Sequence, residues 1–148
     1  MAQSKYIHKS HNVSLLLYQI VCPAKYRRVV FSESVDITLK EICIEISKRY
    51  QIYFLEIGTD DDHVHFLVQS VPMYSPTKIV TIIKSITARE IFSKNPEVKK
   101  QLWGGEFWTD GYFINDYFIL YLKSFFDDAQ ATKSLSNRAS PKYRLLNL

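Results

Sequence analysis

Two histidines one residue apart, His63 and His65, stand behind three consecutive aspartates in the stretch TDDDHVHFLVQS. Imidazole is the side chain most often found on a protein-bound metal, and two on one surface can share a cation. Strand alternation puts His63, His65, Leu67 and Gln69 on one face and Val64, Phe66 and Val68 on the other. The second set is uniformly apolar and belongs against the core. Same-face neighbours two residues apart lie roughly 6–7 Å apart, close enough for one ion. An oxygen ligand would have to complete the shell. Asp62, Asp61 or Glu56 on the paired strand could supply it or orient a ring. Two half-exposed polar residues on a sheet face would give the same pattern, so spacing alone leaves both readings open. His8 and His11 have no comparable partner.

The elements that must position this pair follow from periodicity. NVSLLLYQIV (12–21) is apolar and β-rich, a strand ending at Pro23. Ser34 is a competent cap for a helix whose stripe is Val35, Leu39, Ile42 and Ile46. IYFLEIG, TDDD and HVHFLVQS make a strand, a turn and a returning strand. Ser75 and Pro76 open a second helix with Ile79, Ile82, Ile83 and Ile86 on one side. LWGGEFWTDGYFI is glycine-punctuated and aromatic, a loop leading into a last strand, and a third helix is expected from Asp116 to about Gln130. The order β-α-β-β-α-β-α predicts an α+β fold, an antiparallel sheet with helices on one face.

Composition limits the function. The 148 residues suit one domain, here 1–130, followed by a basic tail at 131–148. That tail holds Lys133, Arg138, Lys142 and Arg144 without an acid, which accounts for the whole net charge of +4. Such a segment either meets phosphate or is simply a solvated end. Lys25-Tyr26-Arg27-Arg28 is a second local positive cluster. Cys22 and Cys43 are too few for a disulfide framework or a thiolate metal site. No apolar run is long enough for a membrane span, and the first residues lack a signal-peptide core, so a cytoplasmic protein, nucleoid-associated when on DNA, is expected. With four glycines and no phosphate-loop pattern, no ATP site is expected.

The blocks HNVSLLLYQIVCPAKYRR, DHVHFLVQS, YSPTKIVTIIKSITAREIF and LWGGEFWTDGYF, in that order, resemble the single-tyrosine transposases of the insertion-sequence-200 type. These are HUH nucleases, named for the His-hydrophobic-His motif that His63-Val64-His65 matches. The resemblance spans about Asn12 to Asn115. It implies a ferredoxin-like fold, a homodimer, and cleavage of single-stranded DNA beside hairpins. It implies that His63, His65 and a polar side chain of the last helix hold Mg²⁺ or Mn²⁺. A tyrosine of that helix would attack the scissile phosphate, leaving a 5′-phosphotyrosine and a free 3′-hydroxyl that strand transfer later rejoins. The KYRR block, Lys25, Tyr26, Arg27 and Arg28, becomes the candidate DNA contact, with Lys84 and Arg89 behind it. Unpaired bases could stack on Tyr26, Trp103, Phe107 or Trp108.

The chain departs from that pattern in its third helix. The family carries Tyr-x-x-x-Gln there; here Phe126 stands four residues before Gln130. On a helix Phe118, Leu122, Phe125 and Ala129 form one apolar stripe, and Tyr117, Tyr121, Ser124 and Asp128 share the neighbouring face. Gln130 points almost opposite Tyr121. Tyr121 is therefore the candidate nucleophile and Tyr117 its alternate, with Asp128 rather than Gln130 as the third ligand that could accompany it. Both tyrosines packing at a dimer seam is the competing reading. A chain without a working tyrosine would be an inactive remnant, by a frame shift after Asn115 or by divergence, or a single-strand binder. A metal-dependent phosphodiester hydrolase using the histidines to activate water is a further alternative.

Overall fold

The computed structural model describes residues 7–9, 12–14 and 16–116, the first two stretches by their backbone alone. The expectations for Tyr117, Tyr121, Phe126, Asp128, Gln130 and the basic tail lie outside the described residues. In chain order the elements are β1 (Ile7–Lys9), β2 (Asn12–Ser14), β3 (Leu16–Pro23), α1 (Glu33–Arg49), β4 (Ile52–Thr59), β5 (His63–Ser70), α2 (Pro76–Lys94), α3 (Pro96–Gln101) and β6 (Phe113–Asp116).

The main sheet has the order β4-β5-β3-β6 with every neighbour antiparallel. β3 and β4 are joined through α1 and run parallel with β5 inserted between them. The element order predicted the antiparallel sheet, and this split β-α-β arrangement is the ferredoxin-like topology that the family resemblance implies. α1 and α2 cover the face that carries Ile20 and Cys22 of β3, Phe54 of β4, and Val64, Phe66 and Val68 of β5. All four residues of the stripes predicted for α1 and α2 are buried; the stripe expected at Phe118, Leu122, Phe125 and Ala129 lies outside the described residues. Burying such side chains at roughly 1.5–3 kcal/mol each supplies the main driving force for this layer.

Four local expectations are corrected. The strand foreseen over 12–21 is two: β2 pairs with β1 in a small hairpin, and β3 begins at Leu16 in the main sheet. The cap of α1 is Ser32, not Ser34. Asp36 N–H already donates to the Ser32 carbonyl, and the Ser32 hydroxyl accepts from Val35 N–H, which places Ser34 inside the first turn. Asp116 does not start a helix; it closes β6 opposite Tyr18. Finally, α3 was not foreseen, although Asn95-Pro96 carries a usual start signal, proline at the first helical position. Among the described residues no helix is long and apolar enough to cross a membrane.

Candidate metal and nucleic-acid site

The β4–β5 hairpin brings the chemistry together. Asp60 N–H donates to the His63 carbonyl at 2.9 Å, leaving Asp61 and Asp62 as the two-residue reversal. Asp60 therefore stands directly opposite His63 and shares its face. Asp60 Oδ2 lies 3.2 Å from His63 Nε2, and His63 Nε2 lies 3.0 Å from His65 Nε2. One ligand atom from each of Asp60, His63 and His65 falls within 4.8 Å of the others. Neighbouring ligands of an octahedral ion bound at about 2.1 Å are separated by about 3.0 Å, so the two imidazole nitrogens are already spaced for a common cation. A carboxylate with two imidazoles suits Mn²⁺ or Zn²⁺ better than Mg²⁺, which prefers oxygen ligands.

Asp62 works from behind. Its Oδ1 is 2.7 Å from His63 Nδ1, and its Oδ2 accepts from Arg27 Nε at 2.8 Å. A proton held on Nδ1 by this carboxylate leaves the Nε2 lone pair facing the cluster, the tautomer a metal requires. The His63 hydrogen bond and the Arg27 guanidinium together hold the Asp62 carboxyl below its usual range. Glu56 shares the histidine face but opposes Leu67, beyond His65, and burial raises its carboxyl instead.

The exit of β3 is stapled to this hairpin. Pro23 pairs with His63 and Val21 with His65, while Ala24 N–H donates to the Asp62 carbonyl. The chain then reverses through Lys25–Arg28, and both central residues, Tyr26 (φ 57°) and Arg27 (φ 53°), are left-handed. That backbone usually takes Asn-Gly, and each non-glycine residue held there costs about 1–3 kcal/mol. Lys25 pairs with Glu106, which keeps its ammonium charged to higher pH than usual. Arg28 is exposed.

The loop after α3 completes the wall. Lys25 N–H donates to the Phe107 carbonyl, Trp108 bridges to Ala24, and Thr109 N–H donates to the Pro23 carbonyl. Phe107 and Trp108 are core residues at 1% and 6% exposure, whereas Tyr26 and Trp103 stand out at 58% and 71%. The last two rings are stacked, with centroids 6.3 Å apart and planes 22° from parallel. Such a pair is worth about 0.5–1.5 kcal/mol, less than the strain of the two left-handed residues. Lys84, considered for phosphate contact, spends its donors on the carbonyls of Thr109, Asp110 and Gly111 at 2.8, 3.3 and 3.0 Å. It clamps the loop that feeds β6.

Residues 12–117 match the family described as "Transposase IS200 like". The chain belongs to the IS200-like transposase family. It is 31% identical over 99 residues to the ISDra2 transposase TnpA of Deinococcus radiodurans, an alignment covering 67% of this chain and 71% of that relative. A crystal structure of a candidate transposase from Deinococcus radiodurans R1 superposes with a TM-score of 0.67 at 24% identity, covering 82% of this chain and 96% of the other. That likeness speaks for the fold.

Within this IS200-like chain the structure gathers His63 and His65 as foreseen and adds Asp60, which sequence reasoning passed over for Asp61, Asp62 and Glu56. The missed signal was the hairpin register: Asp61-Asp62 as the turn puts Asp60 across from His63. Lys25, Tyr26, Arg27 and Arg28 border the same hairpin, two of their charges committed to Glu106 and Asp62. The transposase tyrosine candidate Tyr121 lies outside the described residues.

Proposed function

We propose that this IS200-like transposase nicks and rejoins single-stranded DNA at hairpin ends with a divalent metal, Mg²⁺ or Mn²⁺, working as a homodimer. The observation that carries the reading is the Asp60–His63–His65 cluster, with both Nε2 atoms turned to one point on the sheet face away from α1 and α2. A cation held there by His63, His65 and Asp60 would stabilise the charge that develops on a phosphodiester as it is attacked. Asp62 fixes the His63 ring and Arg27 fixes Asp62, so the ligands are oriented before DNA arrives.

Tyr121 is the proposed nucleophile. Its oxygen bonds to phosphorus as the bond from phosphorus to the 3′ oxygen breaks, giving a 5′-phosphotyrosine. The phenol proton is given up to a base or solvent and the departing 3′ oxygen takes one up. Reversal with another 3′-hydroxyl rejoins a strand, so no nucleotide cofactor is required. A second reading is favoured by one observation, Phe126 standing four residues before Gln130: a chain that binds single-stranded or hairpin DNA without cutting it.

One experiment tests both. Single-stranded oligonucleotides from the DNA flanking the gene are incubated with the protein and Mn²⁺, then run on denaturing and native gels. The transposase reading expects a covalent adduct that mass spectrometry maps to Tyr121, lost in Tyr121→Phe and in His63→Ala. A gel shift with no adduct selects the binder. Turnover that survives Tyr121→Phe and Tyr117→Phe but not His63→Ala would instead show a metal-dependent hydrolase.

A further inference from the structure

Tyr26 and Trp103 are two large aromatic side chains that the fold displays rather than hides. Tyr26 reaches the surface through a left-handed backbone that its residue type disfavours. Trp103 follows Leu102, which is buried at 1%, and precedes Gly104 (φ 117°) and Gly105 (φ 75°), a glycine turn that lets the chain double back and leaves the indole outside. Gly105 N–H donates to the Leu102 carbonyl and closes that turn. Two unrelated backbone devices, far apart in sequence, thus bring two exposed rings into one near-parallel stack. Hydrogen bonds from the hairpin and the Phe107 loop hold the strained turn, and the exposed ring pair contributes less than that strain, so the stack is not what stabilises the turn.

The surroundings say what the stack would take. Lys25 Nζ lies 5.6 Å from the Tyr26 ring centre, and exposed Arg28 follows in the same turn. Lys25 is paired with Glu106, which leaves Arg28 to meet a phosphate; flat apolar faces beside that cation fit an unpaired nucleobase, since every base has a π-face. The turn is tied through Arg27 and Asp62 to His63, and through Ala24 N–H to the Asp62 carbonyl at 2.8 Å.

We propose that Tyr26 and Trp103 form a shelf on which one unpaired base of the DNA strand stacks, seating an adjoining phosphate beside the Asp60–His63–His65 cluster. This rests on the single-stranded DNA reading above and adds the position of a nucleotide to it. The shelf reads shape and unpairedness, not base identity, and it excludes duplex DNA because a paired base cannot reach it.

The test uses the full chain, fluorescently labelled single-stranded oligonucleotides from the flanking DNA, and anisotropy titrations over a range of salt. Trp103→Leu and Tyr26→Leu each remove a ring but keep bulk at exposed positions, and thermal melts check that both stay folded. Each is expected to weaken binding about tenfold, while Trp103→Phe stays within about threefold of the parent. The salt slope should stay unchanged, because no phosphate contact is lost. An abasic site scanned along the oligonucleotide should reproduce the loss at one position, with no further loss in Trp103→Leu. Equal affinity of parent and both leucine variants, or no sensitive abasic position, overturns the shelf while leaving the DNA reading standing. No binding by the parent chain overturns both.

Discussion

Asp62 shows how much a single side chain can control without touching a ligand. It accepts from Arg27 and faces His63 Nδ1, and a proton held between them would turn the Nε2 lone pair toward the cluster. Asp62→Ala should lower Mn²⁺ affinity by about 10–100-fold in isothermal titration calorimetry, the usual cost of losing a partner behind a metal ligand. Glu56→Ala should leave that affinity nearly unchanged, because Glu56 opposes Leu67 rather than either histidine. Glu56 matters for stability instead. Burial raises its carboxyl above the ordinary 4.5, so the folded state prefers it protonated. Its contribution is complete below the ordinary value and is lost as pH rises through the folded one. Glu56→Gln should therefore melt higher than the parent at pH 7, with the advantage shrinking toward pH 4. The thiols are simpler. Burial pushes Cys22 up to about 12, against the opposing pull of Lys84, and holds Cys43 well above its ordinary value. Neither should react with a thiol-specific reagent at pH 8 until the protein is unfolded.

At the scale of elements, local signals in the sequence were strong where one periodicity ruled. The isoleucine stripe of α2 and the alternation of β5 from His63 to Val68 were both legible, although β5 ends with Gln69 and Ser70 buried alike. Features set by a partner were not. β4 carries an irregularity between Phe54 and Glu56, which only its pairing with β5 reveals. The left-handed Tyr26-Arg27 turn has none of the glycine or asparagine that announces such backbone, because hydrogen bonds from the hairpin and the Phe107 loop impose it. Thr87 is a comparable case. Its hydroxyl donates to the Ile83 carbonyl at 2.6 Å and accepts from Trp108 Nε1 at 3.0 Å, joining α2 to the wall of the site. Thr87→Val keeps the shape but strands the indole N–H in the core, and should cost about 1–3 kcal/mol in urea denaturation. Sequence periodicity marks position 87 as one turn beyond Ile83; nothing in it announces the indole.

For the whole molecule, charge and fold divide the work. The ferredoxin-like body places the histidine pair, its aspartates and the aromatic shelf around one end of the β3–β5 ladder, and its committed cations leave little free charge there: Lys25 faces Glu106, Arg27 faces Asp62, and Lys84 is bound to backbone carbonyls. Residues 1–130 balance, with 15 acids against the 15 Lys and Arg that remain once the four of the tail are set aside from 19. On the single-stranded DNA reading, Lys133, Arg138, Lys142 and Arg144 are then the expected main source of non-specific attraction to a phosphate chain. Each cation that meets a single strand contributes about 0.7 to the slope of log affinity against log salt, so four contribute about 3. Replacing all four by glutamine in the full chain should flatten the slope by up to about that amount, leave Mn²⁺ binding intact, and preserve the loss caused by Trp103→Leu. A slope that does not change would move the electrostatic contact onto the body, with exposed Arg28 the first residue to replace. A slope that flattens while the shelf still discriminates would separate the two jobs: the tail recruits the strand, and the body decides where along it the metal cluster sits.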